Sequence, residues 1–303
     1  ADVVIAPMAL TICSEWEKRG RCSTFPEMWT MRMSLMTDTE CCSPCGDTQL
    51  RPAAEFLAEY AAWLLGCGAT CIRIEKNTRR MAERFGLEFD ISIMPTHVVV
   101  SVGGGGSGGY VQPCVAMHKV AACGINFNLN ARLSRLSWKV ADLHLGIGDA
   151  ERMFGMIKRT RPTGQWEVLL LASLANASFC RLFGGDFTAM LIVFVSTVAG
   201  YRLKQIMLAD KRDVRLTFLC ASFFSAAISA GGHVFGIGST PEIALGTSVL
   251  YLIPGVPYIN AVSDMIDRHY LCAFSRFADA VVLTACLSAG LCGGMLVLGL
   301  RWF

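Results

Sequence analysis

From residue 168 onward the sequence is a succession of apolar segments, at about 168–183, 187–203, 216–237, 243–262 and 280–300, joined by brief polar stretches. Each approaches the ~20 residues that a helix needs to cross the hydrocarbon core of a bilayer, the first two being short. Apolar helices buried in a large soluble core are the alternative, and five in a row with such short joints argue against it. The whole chain of 303 residues is 53% hydrophobic and only 17% charged, with mean hydropathy +0.46. Most of the charge precedes Trp166, so a soluble or surface N-terminal part is expected ahead of a membrane part. The net charge of +3 is weak, and no basic face with interleaved aromatics points to a nucleic-acid partner.

Residues 1–50 carry no helical or strand periodicity and begin without a methionine, and read as a poorly ordered leader or an upstream extension, with Met36 a candidate start. The apolar stretch 3–12 has no basic region before it and no small-residue cleavage site after it, so it does not read as a signal peptide. From Pro52 the spacing of Phe56, Leu57, Tyr60, Ala61, Leu64 and Leu65 predicts a helix. A second is predicted over 70–85, with Ile72, Ile74, Met81 and Phe85 apolar and Gly86 ending it. Residues 88–94 and 97–102 read as strands. The glycine run 103–109 lacks the Lys-Ser/Thr of a phosphate loop and reads as a flexible hairpin loop. Residues 119–140 are expected to add further β structure, because Ile125, Phe127 and Leu129 alternate with Asn126, Asn128 and Asn130. A helix from Asp149 to about Arg159 completes an α+β domain of ordinary size.

Lysine and arginine then orient the spans. Lys158, Arg159 and Arg161 precede the first segment. Arg202, Lys204, Lys211, Arg212 and Arg215 lie between the second and third, and Arg268 and Arg276 between the fourth and fifth. Only Arg181 and Arg301 fall on the opposite side. The positive-inside rule puts the N-terminal domain in the cytoplasm and the C-terminus outside. Small residues such as Ala226, Ala230 and Gly232 in the third segment and Gly290, Gly293 and Gly294 in the fifth suit close helix approach, within this chain or with a partner.

The fourth segment ends in LIPGVPYINAVSDM (252–265), where Pro254 and Pro257 remove two backbone donors and are expected to interrupt the helix twice. Broken backbone at membrane depth needs a protein-lined or watery cavity. Asn260 and Asp264, at i and i+4, share a helical face with Asp267 one turn further on. Either this is a site, or it is a helix end emerging into water, where Asn and Asp are ordinary. Asn176, Ser196, Thr197 and Ser248 are the other polar groups inside the spans, with Asp186 and Asp279 near the ends. Hydroxyls often bond back to helix carbonyls, and Asp186 after Gly184-Gly185 reads equally well as a helix cap.

No hydrolytic, redox or cofactor constellation stands out, and the five histidines are dispersed. The fourteen cysteines are scattered mainly through apolar runs, where Cys acts as a small hydrophobe. Cys41, Cys42 and Cys45 have C-x-x-C spacing, but no second pair follows at the distance a zinc site requires, so no metal is expected.

PGVPYINAVSDM, with the apolar run that leads into it, resembles the PG-x-P-x-x-N-A-x-x-D signature of the threonine/serine exporter family. GINFNLNARLSRLSW (124–138) resembles a strand region of that family's N-terminal domain, and FCRLFGG (179–185) its first membrane helix and following turn. The resemblance covers about 52–301. It implies proton-coupled export of threonine or serine, or of a dicarboxylate such as succinate in the split members, across the bacterial inner membrane. Fused members carry a second hydrophobic half, so the resemblance also implies a separate small membrane subunit, or a homo-oligomer in its place. The expected organisation is a leader at 1–50, a cytoplasmic α+β domain at 51–164, and an all-α transmembrane domain of five helices at 165–303. The expected pathway for substrate or proton runs along Pro254, Gly255, Pro257, Asn260, Asp264, Asn176 and Asp186. A membrane-anchored enzyme or ligand-sensing domain is the alternative; five spans with a broken helix exceed what an anchor needs.

Overall fold

A computed structural model describes residues 50–104, 113–121, 123–160 and 164–299. The leader expected at 1–50, apart from Leu50, lies outside the described residues, as do Cys41, Cys42, Cys45 and most of the glycine run. The described residues are mostly helical, with one small sheet.

Helix α1 (Leu50–Gly66) carries only Glu55 and Glu59 as charged residues after its first turn, because it is covered on most sides. Tyr60, Leu57 and Leu64 on it are fully buried, each contributing roughly 1.5–3 kcal/mol by leaving water. Phe56 and Tyr60 meet Phe154 edge-on at 5.9 and 6.0 Å, and the Tyr60 hydroxyl donates to the Leu133 carbonyl at 2.9 Å. Helix α2 (Cys71–Arg84) begins after a short loop and buries Ile74, Asn77, Thr78 and Met81. Strands β1 (Leu87–Ile93), β2 (His97–Gly104) and β3 (Cys114–Lys119) form an antiparallel sheet in that order, with Phe89 opposite Val102 and Val99 opposite Met117. Val98, Val100 and Val102 point into the core, as period-2 alternation requires.

The β structure expected across 119–140 is not there. Residues Phe127–Asp142 form helix α3 instead. The alternation of apolar residues with asparagine is only three pairs long, whereas Leu129, Leu133, Leu136 and Val140 sustain a helical period, and the last three are buried. Asn126, expected on a sheet face, is the helix N-cap and accepts from the Leu129 N–H at 3.0 Å. Asn77, Ser134, Ser137 and Arg80 lace α2 to α3, with Arg80 also stacked 3.6 Å over Trp138. Helix α4 (Ile147–Lys158) closes this part through Ala150 and Phe154.

Helices α5 (Gln165–Leu182), α6 (Phe187–Ala209), α7 (Val214–Val234), α8 (Pro241–Thr247), α9 (Gly255–Ile266) and α10 (Tyr270–Val297) follow. Three of them, α6, α7 and α10, are long and apolar enough to cross a membrane. A fourth span arises if the broken pair Pro241–Leu252 and Gly255–Ile266, bent by 59°, counts as one. Helix α5 forms where the first segment was expected, but Gln165, Glu167, Asn176 and Arg181 dilute its apolar character. Large apolar side chains such as Leu171, Phe187, Val195, Phe224 and Leu296 face outward, as helices immersed in lipid rather than water would present them. Gly290 and Gly294 of α10 lie directly against Ser222 and Ala226 of α7, so these small residues serve packing within the chain.

The fourth segment breaks once, not twice. Helix α8 ends at Thr247, a 3-10 turn occupies Leu250–Leu252, and Ile253 is extended (φ −56°, ψ 124°), as the residue before a proline tends to be. Pro254 then stands at the N-cap of α9. Pro257 lies in the first turn of α9, where backbone N–H groups have no helical partner, so it interrupts nothing.

Candidate functional site

Apart from Asp279, exposed on α10, and Ser248, whose hydroxyl donates back to the Leu245 carbonyl at 2.8 Å, the polar residues singled out in the spans fall into three places. The first is the break itself. Asn176 of α5, 3% exposed, donates to the Thr197 hydroxyl of α6 at 2.7 Å and to the Thr247 carbonyl beside the break at 3.1 Å. The Ser225 hydroxyl of α7 donates to the Ser196 carbonyl at 3.1 Å. Its single proton is thereby used, so in the 2.9 Å contact with Tyr251 the tyrosine hydroxyl is the donor. Gly200 makes this convergence sterically possible, because a Cβ there would collide with Ser225 and with the Tyr251 hydroxyl. Four elements therefore meet through side-chain polar groups near the middle of α5, α6 and α7.

Beside this cluster lies an open cleft of ≈ 420 Å³ lined by Ala172, Ala175, Asn176, Phe179, Phe183, Tyr201, Leu250 and Tyr251. The rings of Tyr201 and Tyr251 are 5.7 Å apart. A pocket of this size with apolar walls and a few converging amide and hydroxyl groups suits a small polar molecule held by hydrogen bonds. Lys204, one turn along α6 from Tyr201, places its ammonium 5.5 Å from that ring and 4.8 Å from Phe218. Sequence reasoning found Asn176, Ser196 and Thr197 but missed Tyr201, Tyr251 and Ser225; a tyrosine inside an apolar run, whose hydroxyl needs a partner when buried, was the usable signal.

The second place is the far end of α9. Asp264 is fully buried. One carboxylate oxygen accepts from Arg276 of α10 at 2.7 Å and the other from the Cys71 backbone N–H at 2.8 Å. Arg276 donates onward to the Ala69 carbonyl at 2.8 Å, and Asn260 donates to the Gly68 carbonyl at 2.8 Å. Thr70, the N-cap of α2, makes no side-chain cap of its own, so Asp264 supplies one from across the molecule, at the end where the helix dipole favours an anion. Asp264 is therefore not the solvated helix-end group that the alternative reading expected. Asp267 does not join the cluster: it is the exposed C-cap of α9.

The third place is the cap of α6. Asp186 accepts from the backbone N–H of Ala189 and Ser239 and from the hydroxyls of Thr188, Ser239 and Thr240. These donors, the Ser239 N–H foremost, hold its carboxyl well below the usual carboxylate range. Its donors come from the first turn of α6 and from the α7–α8 joint, so Asp186 caps α6, and it is not among the residues that line the cleft. Among the described residues no group of three or more His, Cys, Asp or Glu side chains is placed to hold a metal ion.

Residues 55–298 match the family described as "Putative threonine/serine exporter". The chain is 28% identical over 258 residues to "Probable succinate transporter subunit YjjP" of Klebsiella aerogenes, covering 84% of this chain and 97% of that one. The protein of the same description from Escherichia coli strain K12 is 26% identical over 257 residues, covering 84% and 97%. A "Probable threonine/serine exporter" of Mycobacterium tuberculosis is 20% identical over 251 residues, which span 81% of this chain but 46% of that one. No solved structure matches.

Proposed function

Since the chain belongs to the threonine/serine exporter family, we propose that it is one subunit of a proton-coupled secondary transporter that moves a small polar metabolite out of the cell. The substrate class is threonine or serine, or a dicarboxylate such as the succinate of the relatives' descriptions. Those relatives are described as subunits, which supports a second, separately encoded membrane subunit. The observation that carries the reading is the convergence of Asn176, Thr197, Ser225 and Tyr251 on a broken helix beside a cleft. Interrupted helices at mid-membrane are where transporters of other folds bind their substrates.

In this reading α5 to α10 make five crossings, with α8 and α9 as one broken span, and place the N-terminal α/β part in the cytoplasm. Asn176 and the Tyr201–Tyr251 pair contact the substrate, and Pro254 and Gly255 set the break that keeps the cleft open. Proton coupling is assigned to Asp264. Protonating its carboxyl would release Arg276 and weaken the cap on α2, loosening the grip of the broken span on the loop that carries Gly68 and Ala69. Asn260 keeps the same loop in register.

The test is export of radiolabelled threonine, serine and succinate from membrane vesicles holding the chain and its partner subunit, with and without a proton gradient. One of the three is expected to move in a gradient-dependent way, and Asn176→Ala should abolish that movement at unchanged abundance. Gradient-independent behaviour of all three sinks the proposal.

A further inference from the structure

The loop that receives Asn260 and Arg276 begins at Cys67, and the Cys67 thiol lies 3.4 Å from that of Cys123, between β3 and α3. The two segments are already joined by main-chain bonds, Asn126 N–H to Cys67 O at 3.1 Å and Ala121 N–H to Ala62 O at 3.5 Å. Gly66 lets them approach: a Cβ there would run into the Ala121 carbonyl and come within 3.1 Å of the Cys123 sulfur. Gly68, with φ +83°, gives the following turn a conformation that other residues rarely adopt. Cys67 is buried while Cys123 is half-buried and reachable from solvent.

We infer that Cys67 and Cys123 are a modification site, a thiol pair that closes to a reversible disulfide when the cell meets a hydroperoxide. Cys123, as thiolate, attacks the peroxide oxygen, taking up a hydroxyl and expelling water (hydroxide plus one proton) to leave a sulfenic acid. The Cys67 sulfur then attacks the sulfenic sulfur; its own proton leaves with the departing hydroxyl as a second water. In sum two thiols and one hydrogen peroxide give one disulfide and two waters. Closure requires the sulfurs to move from 3.4 Å to the ~2.05 Å of the bond, which a loop bounded by two glycines accommodates. Burial, and next the neighbouring Cys123 thiol, push the Cys67 thiol up, consistent with Cys67 as the resolving partner and Cys123 as the point of attack. The bond would fix the chain one residue before Gly68 and two before Ala69, whose carbonyls hold Asn260 and Arg276. Disulfides in reducing compartments are mostly transient and regulatory, which is the character this pair would have. A second pair, Cys71 and Cys272, shares a side-chain hydrogen bond but is fully enclosed.

The experiment uses the whole chain in its native membrane, exposed to hydrogen peroxide, alkylated, digested without reductant and mapped by mass. The expected result is a peptide linking Cys67 to Cys123, lighter by two hydrogens than the sum of its parts and separated again by dithiothreitol. It should be lost in Cys123→Ser. The mapping on unaltered protein stands by itself if the variant fails to accumulate. Peroxide that leaves Cys67 alkylated, or links it to a different cysteine, overturns the inference, and neither result depends on transport being observed.

Discussion

Asp264 shows how much a single side chain's meaning depends on what it touches. Its place four residues after Asn260, on a polar helical face, is visible in the sequence. Its partners are not, because Cys71 lies 193 residues away along the chain and no local period records a contact of that range. The 0% exposure of Asp264 beside Arg276 makes the pair one whose desolvation is balanced by three charge-assisted hydrogen bonds, so removing one member leaves the other stranded. Asp264→Asn keeps the acceptor for the Cys71 N–H but turns an amide toward Arg276. It is expected to lower stability by about 3 kcal/mol, read as a lower melting temperature in detergent. In transport assays normalised for abundance it should also lose its response to the proton gradient. A partner substitution, Arg276→Met in the Asp264→Asn background, should recover part of the stability and none of the coupling. A wild-type gradient response in Asp264→Asn would remove this residue from the mechanism and leave it a structural clamp.

At the scale of elements, apolar runs and caps announced most of the helices, and the errors have identifiable causes. Helix α3 was mistaken for strand because three apolar/Asn alternations outweighed a leucine period that only becomes decisive when followed to Val140. The two prolines of the broken span were read as equivalent, whereas a proline's effect depends on its place in the turn. Pro254 holds Ile253 extended and stands at the entry to α9, while Pro257 occupies a position where no N–H is missed. Pro254→Ala is therefore expected to let the 59° bend relax, moving Leu250 and Tyr251 relative to Asn176 and cutting transport without a change of charge. Pro257→Ala should transport at close to the wild-type rate. Equal loss in both variants would show that the bend is not what the prolines control.

For the whole molecule, the five spans expected from the sequence turn on two elements beside α6, α7 and α10: whether the broken pair α8 and α9 makes one span, and whether α5 crosses. The described residues form one compact unit, in which the α/β part is tied to α9 and α10 through Gly68, Ala69 and Cys71. Helix α10 has 28 residues, about 42 Å at 1.5 Å each, against a hydrocarbon core of about 30 Å. With the broken pair as one span, the first turns of α10, with Arg276 and the clamp, would be the part that extends past the apolar layer, on the side of Lys211, Arg212 and Arg215 in the α6–α7 joint. In the proposed topology that is the cytoplasmic side, as the positive-inside rule expects. If α5 and the broken pair both cross, the spans number five, and a reporter active only in the cytoplasm, fused after Phe303, should be silent while the same reporter fused ahead of Leu50 is active. Both reporters active would mean an even number of crossings; with the broken pair as one span, α5 would then lie along the bundle. Helix α5 would then be a wall of the cleft and no span, and Asn176 would reach the break from the side.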